Sequence, residues 1–134
     1  MGVDATLTGR TFPPTAPYVV TEERLAEFAA ATGSEYDGGG PAPATFPIVV
    51  AFRAMNALLA DVEVELHRIV HGEQRFRYTR PVRAGDELTA TLTVDSLRQI
   101  GGADIIGTRS EITDAEGDHV VTAHAVLVHR GPAA

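Results

Sequence analysis

The chain has 134 residues, 44% hydrophobic and 22% charged, which suits one globular domain over residues 1–134 and is too apolar for a disordered segment. Its formal net charge is −7 and all eleven basic residues are arginine, a balance that argues against a nucleic-acid surface of clustered cations and against plain attraction to an anionic membrane. With no cysteine there is no disulfide, no thiolate nucleophile and no Cys-held metal.

The first six residues lack the basic and apolar regions of a secretory leader, so a cytoplasmic location is expected. Pro13, Pro14 and Pro17 predict an extended segment over 11–17, followed by a short strand at 18–20. Thr21 is a helix N-cap with Glu22 and Glu23 in the first turn, where the helix dipole favours them. Leu25, Phe28 and Ala29 recur at helical spacing and Gly33 is a terminator, so a helix is predicted over 22–32. Residues 34–44 hold Gly38, Gly39, Gly40, Pro41 and Pro43 and form a loop. A second helix starts near Pro47, with Ile48, Val49, Ala51, Phe52, Met55, Leu58 and Leu59 around nearly its whole circumference; such a helix is buried on several sides. Its longest apolar run, 48–52, is far below the roughly 20 residues that cross a bilayer.

From 62 onward the pattern changes to strands, predicted at 62–66, 74–80, 87–99, 103–113 and 119–129. The clearest is the third, where Leu88, Ala90, Leu92 and Val94 alternate with Thr89, Thr91, Thr93 and Asp95. Turns at Gly85-Asp86, Gly101-Gly102 and 114–117 are short, so the last three strands form an antiparallel meander. The tail 131–134 is expected to fray. No internal repeat is visible.

Four motifs, in this order and spacing, carry a family resemblance: Glu-Phe-Ala-Ala-Ala-Thr-Gly (27–33), Ala-Pro-Ala-Thr-Phe-Pro (42–47), His-Gly-Glu-Gln-Arg-Phe (71–76) and Arg-Pro-Val-Arg-Ala-Gly-Asp (80–86). Over 18–128 the chain resembles the R-hydratase, or MaoC-like, branch of the hot-dog superfamily. The resemblance implies an α+β hot-dog fold, an antiparallel sheet wrapped around a central helix. Active R-hydratases follow the equivalent of Thr32-Gly33 with an Asp, an Asn-Pro, and a His five residues after the Asp. That pair exchanges a proton with the carbon next to a thioester and handles the β-hydroxyl or water. A backbone N–H at a helix start then stabilises the enolate-like oxygen.

Here Ser34 stands at the Asp position and Gly39 at the His position, and the Asn-Pro is missing. In this departure the chain is similar to the non-catalytic A-type subunit, a FAS1-like dehydratase domain, of actinobacterial (3R)-hydroxyacyl-ACP dehydratases. Those subunits also carry an Ala-Pro-x-Thr-Phe turn, matched by residues 42–46, after a longer loop than the one at 34–44. The resemblance implies a substrate-holding subunit paired with a MaoC-like catalytic one, in fatty acid or polyketide metabolism. Its ligand would be an acyl-CoA or acyl-carrier-protein thioester, its partner that subunit or a second copy of this chain, with no nucleic acid or membrane involved. No cofactor and no metal are expected.

No residue is assigned as catalytic on this reading. Thr45, Phe46, Phe52, Met55, His71 and Gln74 are the candidate substrate-binding residues. The alternative is a self-sufficient homodimeric hydratase or thioesterase, using Asp37 or His71, with Glu35 and Glu73 as further carboxylates; a third is a non-enzymatic acyl-binding protein. A Gly-Gly-Gly loop positions Asp37 poorly for catalysis. His71 and Glu73 are expected on one face of a strand, beside a dimer seam; the competing role for His71 is a structural hydrogen bond. His119, His124 and His129 share no metal-ligand spacing. Arg75, Arg77, Arg80 and Arg83 read as a solvated strand face and turn, with contact to the phosphates of CoA or phosphopantetheine as the alternative. Gly38–Gly40 fits no phosphate-loop motif.

Overall fold

A computed structural model describes residues 3–130. The expected fraying of 131–134 lies outside the described residues, as do residues 1 and 2. In chain order the elements are β1 (Tyr18–Val19), α1 (Glu22–Thr32), α2 (Ile48–Asp61), β2 (Ile69–Tyr78), β3 (Glu87–Ile100), β4 (Ala103–Thr113) and β5 (His119–Arg130).

Local chemistry sets the ends of α1 as expected. The Thr21 hydroxyl accepts from the Arg24 N–H at 3.1 Å, and Gly33 takes the left-handed conformation, φ 72°, that closes the helix on the Ala29 carbonyl. Helix α2 begins at Ile48 with Pro47 as its N-cap. It ends later than the apolar pattern suggested, because Val62 continues the stripe of Leu58 and Leu59 and is itself buried. The strand expected at 62–66 is therefore absent. The chain turns through Glu63, at φ 57°, and makes a 3-10 turn over Leu66–Arg68.

The five strands form one antiparallel sheet in the order β1-β3-β4-β5-β2. The inward face of β3, Leu88, Ala90, Leu92 and Val94, meets Ile106 and Ile112 of β4 and Leu127 of β5 in the core around α2. Helix α2 is not buried all round. Val50, Ala51, Ala54, Met55, Leu58 and Leu59 face the sheet, Val49 and Phe52 are half-buried, and Arg53, Asn56, Ala57 and Ala60 face solvent. The sheet wraps one side of the helix, so its apolar circumference exceeds what this one chain covers.

The two sheet edges differ. Along β3, residues 9–15 cover the edge, with the Gly9, Phe12 and Thr15 amides bonded to the carbonyls of Val94, Leu92 and Ala90 at 2.8, 2.9 and 3.0 Å. Strand β2 pairs only with β5 among the described residues, and its outer edge is open. It starts at Ile69, ahead of the expected 74, because Gly72 is not a breaker. It is the extra residue of a β-bulge between His71 and Glu73. No helix of the described residues is long and apolar enough to cross a membrane.

Candidate functional site

The loop after α1 is held by Glu22, the first residue of that helix. Its carboxylate accepts the Tyr36 hydroxyl and the Gly39 amide, the latter at 3.1 Å. The Arg83 guanidinium reaches the Gly39 carbonyl from the other side at 3.5 Å. The hydrogen bond to Glu22 holds the Tyr36 phenol above its ordinary value, so it stays protonated and is no base near neutral pH. Ser34 shares a 2.6 Å hydrogen bond with the Thr32 hydroxyl, not with a base. Asp37 is exposed, and its carboxylate has no partner among the described residues. The two positions where the resemblance puts a hydratase's acid–base pair are thus a hydroxyl bonded to another hydroxyl and a backbone amide bonded to Glu22.

The next segment shapes an opening. The Ala42 amide bonds the Val82 carbonyl at 2.7 Å, and the Phe46 amide closes a turn on Pro43 at 2.9 Å, which delivers the chain into α2. Tyr78, at the end of β2, donates its hydroxyl to the Ala44 carbonyl. Burial pushes the Tyr78 phenol up to about 12, so it serves as a clamp and not as an acid.

Across from the start of α2, the bulge in β2 decides which side chains face inward. His71 lies opposite Leu127, which is buried, whereas Glu73 lies opposite Val126 on the other face of the sheet. The expectation that His71 and Glu73 share a face therefore fails: the extra Gly72 shifts the alternation by one residue. His71 is instead bonded to Gln74, Nε2 to Oε1 at 2.8 Å.

Thr45, Ile48, His71, Gln74 and Phe76 line an open mouth of about 310 Å³. Ile48, His71 and Gln74 also border a second, much smaller space of about 20 Å³, walled by Phe52 and Met55 of α2 and by Thr108 and Ser110 of β4. Of the six candidate binding residues, Thr45, His71 and Gln74 meet at the mouth, and Phe52 and Met55 in the cavity. Phe46 lies in neither. It is fully buried between Tyr18 and Phe28, ring centroids 6.2 and 5.3 Å away, and belongs to the core. Sequence reasoning missed Ile48, Thr108 and Ser110. The signal for the last two was present: Ile106-x-Thr108-x-Ser110-x-Ile112 puts two hydroxyls on a strand face that is otherwise aliphatic.

Most of the remaining polar candidates have local partners, although Arg77, His124 and Glu35 have none among the described residues. Arg75 pairs with Glu73 at 3.0 Å, and Arg80 with Asp86 and Asp114 at 2.9 and 3.1 Å. His119 is bonded to Thr122 at 2.7 Å, and His129 is paired with Asp104 at 2.8 Å. No group of three or more potential metal ligands occurs among the described residues. The mouth is partly polar and adjoins a narrow, mostly apolar space, and among the residues lining the two, His71 has no carboxylate paired with it.

Solved structures of the same shape share this frame. A chain of the C-terminally truncated HadBC complex, a (3R)-hydroxyacyl-ACP dehydratase from Mycobacterium tuberculosis, superposes with a TM-score of 0.82 at 29% identity over 96% of this chain and 99% of that one. The (R)-hydratase of A. caviae, at 19% identity, shares the fold with a TM-score of 0.67, covering 97% of this chain and all of that one. The chain is also 46% identical to a UPF0336 protein of Leifsonia xyli, across 96% of this chain and 97% of that protein. The family described as FAS1-like, dehydratase domain region matches residues 6–123. On that match, which covers most of the hot-dog domain, the chain belongs to the FAS1-like dehydratase region family.

Proposed function

We propose that this chain is the accessory, substrate-holding subunit of a (3R)-hydroxyacyl-thioester dehydratase, which in reverse is an enoyl-thioester hydratase. A second hot-dog subunit supplies the acid–base pair. One observation carries the reading: Ser34 and Gly39, at the positions where the resemblance puts the acid–base pair, are tied into local hydrogen bonds, while Thr45, His71 and Gln74 form an opening that holds no such pair. Dehydration removes a proton from the carbon next to the thioester and delivers one to the departing β-hydroxyl, so it needs a base and an acid in register. This chain contributes the mouth at Thr45, His71 and Gln74 and the wall of α2, which receive the acyl group of a CoA or acyl-carrier-protein thioester. A cytoplasmic location goes with this reading.

The test is reconstitution. The chain is purified alone and with a hot-dog protein that carries the intact Asp-x-Asn-Pro-x-His motif, and crotonyl-CoA hydration is followed. The pair is expected to turn over at about 1–10³ per second. The chain alone should fall below that by about 10²–10⁴-fold for each missing acid or base group. Ordinary turnover by the chain alone overturns the proposal. The hydrogen-bonded His71 at the mouth favours one second reading, a self-sufficient enzyme; His71→Ala and Asp37→Ala would then identify the base.

A further inference from the structure

The space behind the mouth is small and its far wall is polar. The cavity of about 20 Å³ is the volume of one or two water molecules, far from the channel that a fatty chain fills. Two side chains of α2 restrict it. Met55 is buried against the sheet, and Phe52, one turn ahead, is half-buried beside it. Opposite them the sheet presents Thr108 and Ser110, 5% and 3% exposed. The Thr108 hydroxyl has only a long bond, 3.4 Å, to the Ala125 carbonyl, and the Ser110 hydroxyl has no partner among the described residues. Buried hydroxyls are normally satisfied, and a cavity this size with two hydroxyls on its wall suits one bound water. An alkyl tail pushed this far would meet two hydroxyls whose hydrogen bonds it cannot satisfy, which loses affinity.

Resting on the substrate-holding reading above, we propose that this chain selects short acyl thioesters, butenoyl to hexenoyl in size, over fatty ones. Phe52 and Met55 set the depth, and Thr108 and Ser110 form a floor that rejects a longer hydrocarbon tail. Ala51, Ala123 and Ala125 border the same space, so Phe52 and Met55 are the two large side chains of α2 on its wall. Removing either one should therefore lengthen the pocket without rebuilding the sheet.

The experiment measures binding to the chain by calorimetry, with CoA, hexanoyl-CoA and lauroyl-CoA below its micellar range as probes. Hexanoyl-CoA is expected to bind more tightly than CoA, and lauroyl-CoA no more tightly than hexanoyl-CoA. A lauroyl gain above about fourfold, the worth of a single buried methylene, overturns the short-chain limit while leaving substrate holding intact. If neither acyl-CoA binds more tightly than CoA, the substrate-holding reading fails and takes this inference with it. Met55→Ala and Phe52→Ala, each checked for a wild-type circular dichroism spectrum, should raise lauroyl-CoA over hexanoyl-CoA by more than that fourfold. If both fold and neither does so, the depth is not set by these residues. The wild-type comparison decides the chain-length limit even if one variant fails to fold.

Discussion

Arg80 and Asp86 made the Arg-Pro-Val-Arg-Ala-Gly-Asp motif conspicuous, and their role is structural. The Arg80 guanidinium forks between Asp86 and Asp114, joining the β2–β3 turn to the β4–β5 turn, while the Asp86 carboxylate also accepts the Arg83 amide at 2.9 Å. Partial desolvation raises the Asp114 carboxyl, but the Asp118 amide, the Arg80 guanidinium and the Glu116 amide outweigh it and hold it below its ordinary value. A carboxyl depressed in the folded state stabilises above its unfolded pKa of about 4 and loses that contribution as pH falls through its folded value. We expect the urea midpoint to drop as pH falls below about 4, and Arg80→Gln to flatten that dependence. An equally steep drop in Arg80→Gln would remove Arg80 from the linkage. Tyr78 tests the turn ahead of α2: Tyr78→Phe keeps the ring and deletes the bond to Ala44, at an expected cost of about 0.5–1.5 kcal/mol in chemical denaturation.

Among the elements, α1 and the three long strands were legible in the sequence because local rules and burial agree there. Thr21 caps, Gly33 closes, and Leu88 to Val94 alternate on a half-buried strand. The segment after α2 was not, since Val62 and Val64 alternate like a strand while Val62 also completes a helical stripe, and only packing decides between them. The bulge at Gly72 was equally hidden. A glycine in a strand signals a bulge or a break, and the register that tells them apart comes from β5. Part of the site was misread for this reason: His71 was placed with Glu73, whereas one extra residue pairs it with Gln74. Burial along α2 singles out the residue that tests its packing. Phe52 is half-buried at the cavity, so a charge there is tolerated better than at Leu58, which is fully buried. Leu58→Asp should abolish soluble expression, because an uncompensated buried charge costs several kcal/mol, comparable to a whole domain's stability. Normal folding of Leu58→Asp would contradict the packing of α2 against the sheet.

At the scale of the whole molecule, the fold is closed on one side and open on the other. Residues 9–15 and β1 cover the β3 edge, but the outward-pointing amides and carbonyls of β2, Ile69–Tyr78, meet no strand among the described residues. Exposed hydrophobic side chains sit on and beside it, with Val70 61% and Leu66 49% exposed. A long open edge flanked by apolar side chains invites pairing with another chain, and this one carries His71, Gln74 and Phe76 of the mouth. A partner strand there would satisfy the edge and wall the mouth at once, which is what a subunit without its own acid–base pair requires. We therefore expect a dimer in solution, homomeric when the chain is alone and heteromeric when the catalytic partner is supplied. Light scattering at micromolar concentration should report twice the 14.2 kDa of the chain. Val70→Lys, which puts a charge on the exposed edge without touching the core, should move the equilibrium toward monomer and weaken activity of the reconstituted pair in parallel. A strictly monomeric wild type that still reconstitutes activity would place the contact on another face. A Val70→Lys variant that loses dimerisation but keeps full activity would show that the β2 edge is not the surface through which the partner completes the site.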